Sequence, residues 1–495
     1  DVSFDGGDLD CGNGLLLLIR KHIDPMARGQ LLEIRSTEIS VDEDLPAWCR
    51  LTGNDLVSWT KDGRQRSFLV CKGKLAERGA AAPSPAAAKP GVAAQPAAVA
   101  AAPPRAPRGA PAIPPLAVMG IGSWPRPRWM VEAMHAHVEG RLDDAGFHET
   151  ANDAVRLAVA AQERAGVDVV TDGEQRRDSY ASFVAARLDN CQLIPLTDLL
   201  PLVDDPAEFE AELRALDVPA SDVRHPAVFG RLARSRPLVA HEVDFAAGVT
   251  TRPVKVALPG PYLLTRTMWM ECISDRAYAS REALAEDIVR VLREELAELI
   301  ETGAALIQLD EPVLSEVVFG GTKSKRSFMC GALSESAGPA HELGFARDLV
   351  NAVVDGLPRE RIALHVCRGN WTPDESVALS GDYAPLLDTL RSMRVGAYLL
   401  EMCTPRAGEL DLLRALPDDA RIGIGVVDQK RAEPDAASDV GARIARAIGR
   451  FGAGRVILHP DCGFATFADN PICSAAIAEQ KLSAIARAVA DIRGG

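Results

Sequence analysis

A short apolar run, followed by a polar turn and a long helical stretch, recurs eight times between residues 116 and 463. The runs are LAVMGIG (116 to 122), VDVVTDGE (167 to 174), VKVALPGP (254 to 261), ALIQLDEP (305 to 312), RIALHVC (361 to 367), AYLLEMC (397 to 403), RIGIGVV (421 to 427) and RVILHPDCG (455 to 463). Helical periodicity is clear between them, as in 280 to 303, where Ser280 is a suitable N-cap and Gly303 a C-terminal stop. Eight strands alternating with helices predict a (β/α)8 barrel rather than an open doubly wound sheet.

Composition divides the chain into three regions. Residues 77 to 115 are dominated by alanine and proline, which predicts a semi-extended linker with little to bury. This linker separates a small unit, 1 to 76, from a large unit, 116 to 495. Within the large unit, the stretch from 175 to 253 is too long for a plain crossover, so we expect an inserted subdomain or lid there.

Charge and hydropathy exclude several classes of protein. Of the 495 residues, 47% are apolar and 25% are charged, as in soluble globular proteins. The net charge of −14 disfavours a general nucleic-acid binder, which needs Lys and Arg against phosphates. No apolar run reaches the roughly 20 residues of a membrane-spanning helix, and the acidic start DVSFDGGDLD does not have the features of a signal peptide. We therefore expect a cytoplasmic protein whose ten cysteines are thiols available for chemistry or burial.

Potential metal ligands follow three of the predicted strands, at the carboxyl ends where a barrel places its active site. His365 and Cys367 are two residues apart, so a strand directs both to the same face. By itself this pair is also typical of a buried cysteine beside a hydrogen-bonded histidine. Glu401 lies 34 residues after Cys367, and Cys462 lies a further 61 residues on. The four residues predict a tetrahedral zinc site with Glu401 as the most easily displaced ligand, because soft thiolates disfavour magnesium and calcium.

The other cysteines and strand ends differ in their place in the pattern. Cys403 is a rival ligand, but it lies two residues beyond Glu401 and already falls in the following loop. We expect four cysteines to be packing residues: Cys191, Cys272, Cys330 and Cys473. The remaining strand ends supply further polar or small residues for the site: Gly122, Ser123, Glu174, Gly260, Asp310, Glu311, Asp428, His459 and Asp461.

Seven motifs stand in a fixed order along the large unit: IGSWP (121 to 125), DVVTDGE (168 to 174), VALPGP (256 to 261), IQLDEP (307 to 312), HVC (365 to 367), LLEM (399 to 402) and HPDCG (459 to 463). Together they resemble the C-terminal catalytic barrel of cobalamin-independent methionine synthase, over nearly all of 116 to 495. The resemblance implies zinc-dependent transfer of a methyl group to the thiol of homocysteine. It also implies the zinc ligands, which are His365, Cys367, Glu401 and Cys462.

The same resemblance implies a site for the amino acid part of homocysteine. Its substrate-binding residues are Gly122, Ser123, Glu174 and Asp310, of which Glu174 and Asp310 are the catalytic candidates. Either carboxylate is suited to pair with an α-ammonium group; the alternative is that both cap helices or pair with nearby arginines. The barrel would hold an electrophilic methyl group, as in a methyl-folate, in line with the sulfur.

Two departures from the family pattern leave the methyl donor open. The family usually has a preceding barrel that helps to bind the folate, and this chain has none. The family also carries a histidine motif after the seventh strand, where this chain reads VVDQKRAEP (426 to 434), with Asp428 and Lys430 as its polar residues. One alternative function is zinc-dependent alkyl transfer to another thiol, of the coenzyme M type. Another is a non-enzymatic sulfur-relay or thiol-binding protein.

The unit 1 to 76 predicts a two-layer α/β fold: a cysteine turn, a helix, a strand, a short helix and a hairpin around Asp62 and Gly63. It is similar to the TusA/SirA sulfur-carrier family, whose C-P-x-P motif reads C-G-N-G here, with Cys11 as its cysteine. A cysteine at a helix N-terminus has a lowered pKa and is suited to carry a persulfide. The similarity implies a sulfurtransferase or cysteine desulfurase as partner. The alternative is a structural domain in which Cys11 is inert; Cys49 and Cys71 are expected in its core.

Overall fold

The computed structural model describes residues 2–7, 15–23, 26–75, 111–138, 141–195, 224–269, 274, 277–320 and 338–494. They belong to two compact units, one within Asp1–Pro104 and Pro195–Glu212 and the other within Arg105–Ile194 and Leu213–Gly495. Most of the predicted linker lies outside the described residues, as do three of the cysteines discussed above: Cys11, Cys272 and Cys330. No helix in the described ranges combines the length and the apolar character needed to cross a bilayer.

The first unit is a sheet covered by two helices. Its elements are β1 (Val2–Asp5), α1 (Leu16–Ile23), β2 (Leu31–Ser36), α2 (Val41–Thr52), β3 (Asp55–Asp62) and β4 (Gln65–Cys71). The sheet order is β1-β2-β4-β3, in which β1 is parallel to β2 and the other pairs are antiparallel. Gly63, with φ +60°, makes the turn between β3 and β4. Cys49 and Cys71 are buried, as expected from the sequence.

The second unit alternates strands and helices along its length. Its elements are β5 (Ala117–Val118), α3 (Arg128–Val138), α4 (Asp144–Ala165), β6 (Asp189–Pro195), β7 (Arg224–Ala233), α5 (Ala240–Val249), β8 (Lys255–Pro259), α6 (Pro261–Met268), α7 (Arg281–Thr302), β9 (Leu306–Asp310), α8 (Val313–Phe319), α9 (Pro339–Val354), β10 (Ile362–Val366), α10 (Leu387–Arg391), β11 (Ala397–Leu400), β12 (Arg421–Val427), α11 (Ala437–Phe451), β13 (Val456–Pro460) and α12 (Ala475–Gly494). Seven of the strands form one parallel sheet in the order β5-β13-β12-β11-β10-β9-β8.

The run predicted as the second strand is not a continuous strand, yet it closes the sheet between β5 and β8. Val169 forms a parallel bridge with Met119, and Val170 forms one with Val254. The N–H of Lys255 donates to the carbonyl oxygen of Val170 at 2.8 Å. Seven strands and this short closing segment therefore form the predicted (β/α)8 barrel.

The long segment between this closing run and β8 leaves the simple alternation of the barrel. It contains a short 3-10 helix, Ser182–Ala186, and the two-stranded sheet of β6 and β7 before α5 returns to the barrel. The expected insertion therefore includes a small sheet in its described part. Cys191 lies buried in β6, as predicted for a packing residue.

The interior of the barrel is divided into an apolar part and a polar part. Alternate strand residues point inward, and the apolar ones form one buried cluster: Ala117, Met119, Ile121, Val169, Leu306, Ala363, Ala397, Leu399 and Ile457. Further along the same strands, the inward positions carry polar groups instead, such as Gln308, Asp310 and His365. The polar end coincides with the carboxyl ends of the strands.

Glu311, directly after β9, fixes the neighbouring loop after β8. Its carboxylate accepts hydrogen bonds from the N–H groups of Tyr262 (2.8 Å) and Leu263 (2.9 Å) in the first turn of α6. A negative charge at a helix N-terminus is stabilising. Gly260 makes the close approach possible, because a Cβ there would lie 2.2 Å from Glu311 Oε1. Of the predicted strand-end carboxylates, Glu311 is thus one that caps a helix.

Candidate active site

A pocket opens at the carboxyl ends of the barrel strands. Its volume is about 510 Å³, including the space at its mouth. The lining residues come from several strand ends and loops: Ile121, Ser123, Glu174, Tyr180, Asp310, Pro312, His365, Cys367, Gly369, Asn370, Trp371, Cys462, Gly463 and Thr466. Six residues predicted for the site therefore share one cavity: Ser123, Glu174, Asp310, His365, Cys367 and Cys462.

Three of the predicted metal ligands converge in this pocket. The ligand atoms of His365, Cys367 and Cys462 all lie within 4.8 Å of one another. Cys462 Sγ is 3.8 Å from His365 Nε2 and 3.9 Å from Cys367 Sγ. His365 Nδ1 is 2.8 Å from the carbonyl oxygen of Leu399, which fixes the ring if Nδ1 carries the proton. In that tautomer, Nε2 presents its lone pair to the two sulfurs.

This group has the dimensions of a zinc site. Tetrahedral zinc with Zn–S bonds of about 2.3 Å places two sulfur ligands roughly 3.8 Å apart, close to the separation of Cys367 and Cys462. The hydrogen bond between the two sulfurs lowers the pKa of the Cys367 thiol and raises that of Cys462. One nitrogen and two sulfurs are a donor set that favours zinc over magnesium or calcium.

Glu401, the fourth predicted ligand, lies outside this group of three. Its Oε2 accepts hydrogen bonds from the N–H of Arg368 (2.9 Å) and from Asn370 Nδ2 (2.7 Å). Its Oε1 accepts one from Arg406 Nε at 2.8 Å. Burial raises the pKa of Glu401 to about 7, and the nearby Cys367 acts in the same direction. In this arrangement Glu401 holds the loop that follows Cys367, and its ligation of a metal stays a prediction.

Cys403, the rival ligand, is separate from the group as well. The N–H groups of Met402 and Cys403 donate to Asp461 Oδ1 at 2.9 and 2.8 Å, which ties the loop after β11 to the loop after β13. Burial raises the pKa of the Cys403 thiol, so the thiolate form is disfavoured. Cys473 is only partly buried and packs against the main hydrophobic core.

Glu174 is held in a strained, buried position at the pocket wall. Its φ of 54° lies in the left-handed region, which is rare for residues other than glycine. Arg126 Nη2 donates to its carbonyl oxygen at 2.7 Å and its N–H donates to Asp172 Oδ1 at 2.9 Å. Arg177 Nη1 lies 4.0 Å from its Oε1, whereas the buried Oε2 has no hydrogen-bond partner among the described residues. Burial raises the pKa of Glu174 to about 7, which the two arginines oppose.

Asp310 forms the facing acidic group of the pocket. Gln308 Nε2 donates to its Oδ1 at 2.6 Å. Burial raises the pKa of Asp310 to about 6, and His365 and Gln308 act in the opposite direction. Beneath it lies the buried Lys255, whose Nζ contacts Gln308 Oε1. Two buried carboxylates that line one pocket are suited to bind a cationic group.

Gly122 and Ser123 follow β5, the first strand of the barrel, and shape the pocket wall on that side. A Cβ at Gly122 would lie 2.1 Å from Glu174 Oε1, so the glycine leaves room for that carboxylate. Ser123 Oγ accepts a hydrogen bond from the N–H of Ala465 at 3.2 Å. Its carbonyl oxygen accepts one from the N–H of Phe464 at 3.1 Å. Ser123 lines the pocket and also anchors the loop that follows Cys462.

The upper part of the pocket contains residues that the sequence interpretation missed. They are Tyr180, Asn370, Trp371 and Thr466. The N–H of Tyr180 donates to the carbonyl oxygen of Thr466 at 3.2 Å, and Thr466 Oγ1 donates to that of Asn370 at 3.2 Å. Hydrogen bonds thus link the three loops that carry Tyr180, Asn370 and Thr466 at the pocket. The only signal in the sequence was position, because RGNW (368 to 371) directly follows HVC.

Comparison with known proteins agrees with this geometry. A sequence model of the family described as "Cobalamin-independent synthase, Catalytic domain" matches residues 116–198 and 211–481. The chain belongs to this family. The match covers the barrel unit and does not include residues 1–115.

The sequences of known methionine synthases align with most of this chain. The methionine synthase of Saccharolobus solfataricus is 26% identical over 371 residues, which cover 75% of this chain and 92% of that protein. The methionine synthase of Sulfolobus acidocaldarius is 27% identical over 345 residues, covering 69% and 84% respectively. A solved B12-independent methionine synthase from Shewanella sp. W3-18-1, in complex with selenomethionine, has a TM-score of 0.58 at 21% identity, over 77% of this chain and 98% of that chain. The last similarity establishes the fold.

The fit between Gly122 and Glu174 gives a first prediction. Gly122→Ala should displace the Glu174 carboxylate and lower kcat/KM by about tenfold or more, because the methyl side chain occupies the position of Oε1. Gly120→Ala is the matched control, since the nearest atom to its Cβ is 4.0 Å away. Thermal unfolding and steady-state kinetics of both variants provide the test. Equal activity in the two variants would show that the position of Glu174 does not matter.

Proposed function

We propose that the barrel is a zinc-dependent methyltransferase that methylates the thiol of homocysteine and so forms methionine. One observation carries the proposal: the group formed by His365, Cys367 and Cys462 shares a single pocket with the carboxylates of Glu174 and Asp310. A thiol site beside an ammonium site matches the two ends of homocysteine. The relatives named methionine synthase, aligned over most of the chain, support the same activity.

The thiol end of the substrate would be bound at His365, Cys367 and Cys462. When bound there, zinc lowers the pKa of a coordinated thiol, so that the acceptor is a thiolate at neutral pH. Three protein ligands leave a fourth position, which Glu401 would give up to the substrate sulfur. Glu401, as the proposed fourth ligand, would have to exchange its hydrogen bonds with Asn370 and Arg406 for the metal.

The amino end of the substrate would be bound by Glu174 and Asp310. An α-ammonium group offers three N–H donors, and the buried Oε2 of Glu174 has no partner among the described residues. A bound ammonium would pair that oxygen and stabilise the ionised forms of both carboxylates. The fixed distance between the acidic groups and the metal ligands would then set the position of the sulfur.

The methyl donor is proposed to be a methyl-folate by analogy with the family. Its methyl group would meet the sulfur within the pocket that Tyr180 and Trp371 help to line. At the place of the family's histidine motif, Lys430 Nζ donates to the carbonyl oxygen of Asp374 at 3.3 Å, and burial lowers the pKa of Lys430.

The alternatives from the sequence are less consistent with the pocket. Coenzyme M has no amino group, so it would leave the buried carboxylates of Glu174 and Asp310 without a cationic partner. A protein that only binds or relays sulfur does not require two acidic groups at a fixed distance from the metal ligands. The pocket therefore favours methyl transfer to an amino acid thiol.

The zinc proposal predicts about one tightly bound zinc per chain. Cys462→Ser should lose most of the metal, because hydroxyl oxygen is a poor substitute for a thiolate ligand. Cys473→Ser, which changes a cysteine outside the group, is the control and should keep it. Elemental analysis after dialysis, with circular dichroism to check folding, provides the measurement. Full zinc content in folded Cys462→Ser would rule out this site.

The ammonium site predicts discrimination between two thiols. Asp310→Asn should weaken binding of homocysteine by roughly tenfold to a hundredfold, since loss of a charged hydrogen-bond partner costs about 1.5–3 kcal/mol. Binding of 4-mercaptobutanoate, which is homocysteine without its amino group, should change little. Isothermal titration of both thiols into the zinc-loaded protein measures the difference. Equal losses for the two thiols would mean that Asp310 does not bind the amino group.

For residues 1 to 76 we propose a sulfur-carrier domain of the TusA type, in which Cys11 carries a persulfide received from a sulfurtransferase or cysteine desulfurase. Cys11 lies outside the described residues. The proposal is supported by the order of the described elements, with α1 following the cysteine motif and β2, α2 and the β3–β4 hairpin completing two layers. A tether of roughly 39 residues would let this domain reach the barrel at an effective concentration near the millimolar range.

The sulfur-carrier proposal is tested by mass spectrometry. After incubation with a cysteine desulfurase and cysteine, the wild-type protein should gain the mass of one sulfur atom, and Cys11→Ser should gain none. Cys49→Ser is the control, because burial raises the pKa of the Cys49 thiol to about 11 and disfavours its reaction. Absence of added sulfur on Cys11, under conditions that load a known carrier, would leave the domain with a docking or regulatory role.

A further inference from the structure

Lys255 is buried inside the barrel, and neither the metal group nor the ammonium site accounts for it. Its side chain is 1% exposed. It is the first residue of β8 and shares the inward face of that strand with Ala257. A buried lysine is costly unless its donors are paired. Here Nζ donates to the carbonyl oxygen of Ile121 at 2.6 Å and to Gln308 Oε1 at 2.7 Å.

These contacts determine how the amide of Gln308 is oriented. A lysine ammonium has donors and no acceptor, so it requires the oxygen of the amide, Oε1, on its side. The amide nitrogen of Gln308 is then directed to Asp310, where Nε2 donates to Oδ1 at 2.6 Å. With the amide reversed, its oxygen would face the carboxylate and repel it. Lys255 therefore selects the only orientation in which Gln308 stabilises Asp310.

The same ammonium group joins the two walls of the proposed amino-acid site. Ile121 directly precedes Gly122 and Ser123 on the wall formed by the first strand. Gln308 precedes Asp310 on β9, two residues along and on the same face. Burial lowers the pKa of Lys255 to about 7, whereas the nearby carboxylates of Asp310 and Glu174 favour its charged form. Packing alone would not need a cation here, because an unbranched apolar side chain fills similar space.

We propose that Lys255 is a positioning residue that acts through Gln308 to direct the Asp310 carboxylate at the α-ammonium of the acceptor thiol. This proposal rests on the proposed function, since it assumes an acceptor with an amino group. Lys255 does not touch the substrate in this arrangement. Its contribution is to fix one amide, and through that amide one oxygen of Asp310, before the substrate arrives.

The test compares thiols in the zinc-loaded enzyme. Lys255→Met keeps an unbranched side chain, one atom shorter than lysine, and removes the charge. It should raise the KM for homocysteine by roughly tenfold to a hundredfold, leave kcat within about threefold, and hardly change binding of 4-mercaptobutanoate. Gln308→Met should give the same pattern. The double variant should be no worse than either single variant, because both changes break one chain of hydrogen bonds.

Lys481→Met is the matched control. Lys481 is also a fully buried lysine of the barrel, but its Nζ donates to the carbonyl oxygens of Asp428 (2.7 Å) and Glu433 (3.2 Å). Its loss should leave the ratio of affinities for the two thiols unchanged. If Lys255→Met does not fold, Gln308→Glu tests the same link. This nearly isosteric change keeps an oxygen towards Lys255 and replaces the donor to Asp310 by an acceptor, so the same selective loss is expected.

The outcomes separate this inference from the proposed function. A wild-type protein that does not prefer homocysteine to 4-mercaptobutanoate overturns the proposed function and the role of Lys255 with it. If the wild type has this preference, two results would overturn the role of Lys255 alone. One is that each variant weakens binding of both thiols equally. The other is that the double variant loses homocysteine affinity by the sum of the two single losses. A selective, non-additive loss of homocysteine in the variants, with Lys481→Met unaffected, supports it.

Discussion

Burial of charge is the constraint on which this site depends. Glu174, Asp310, Glu401 and Lys255 are each at most 5% exposed, and such groups are costly to bury without partners. Glu401 is paired with Arg406 and with two N–H donors of the loop after β10, and Lys255 is paired with two oxygens. Glu174 is the exception, with one oxygen unpaired among the described residues. A cationic substrate would pair with this oxygen. The unpaired buried carboxylate therefore favours binding of a cation at the place where the amino acid is expected.

Local rules were sufficient to predict the barrel and much of the pocket. The two-residue period of a strand placed His365 beside Cys367, and the shared carboxyl end of parallel strands brought Cys462 to them across 95 residues of sequence. The second strand was only partly correct. The segment around Val169 and Val170 pairs through single bridges, and a pattern of apolar residues does not reveal how many residues will hydrogen-bond to each neighbour.

Other features depend on contacts between distant segments, which a single sequence does not display. The environment of Glu401 is set by Asn370, 31 residues earlier, as well as by Arg406, five residues later. Nothing in VKVALPGP shows that the side chain of Lys255 turns towards Gln308 on the next strand. The loops that carry Tyr180 and Thr466 have no periodicity to interpret, and their meeting is a product of tertiary packing.

The loop after β13 carries Cys462. It is also hydrogen-bonded to the loops that follow β5, the closing run around Val170, and β10, through Ser123, Asp178 and Asn370 respectively. A proposed metal ligand and part of the pocket lining therefore belong to one short segment. Because movement of this segment would displace the proposed ligand, we do not expect it to open and close the pocket. We therefore expect substrate and product to pass at another side of the rim, so that different loops of the barrel serve the chemistry and the entrance.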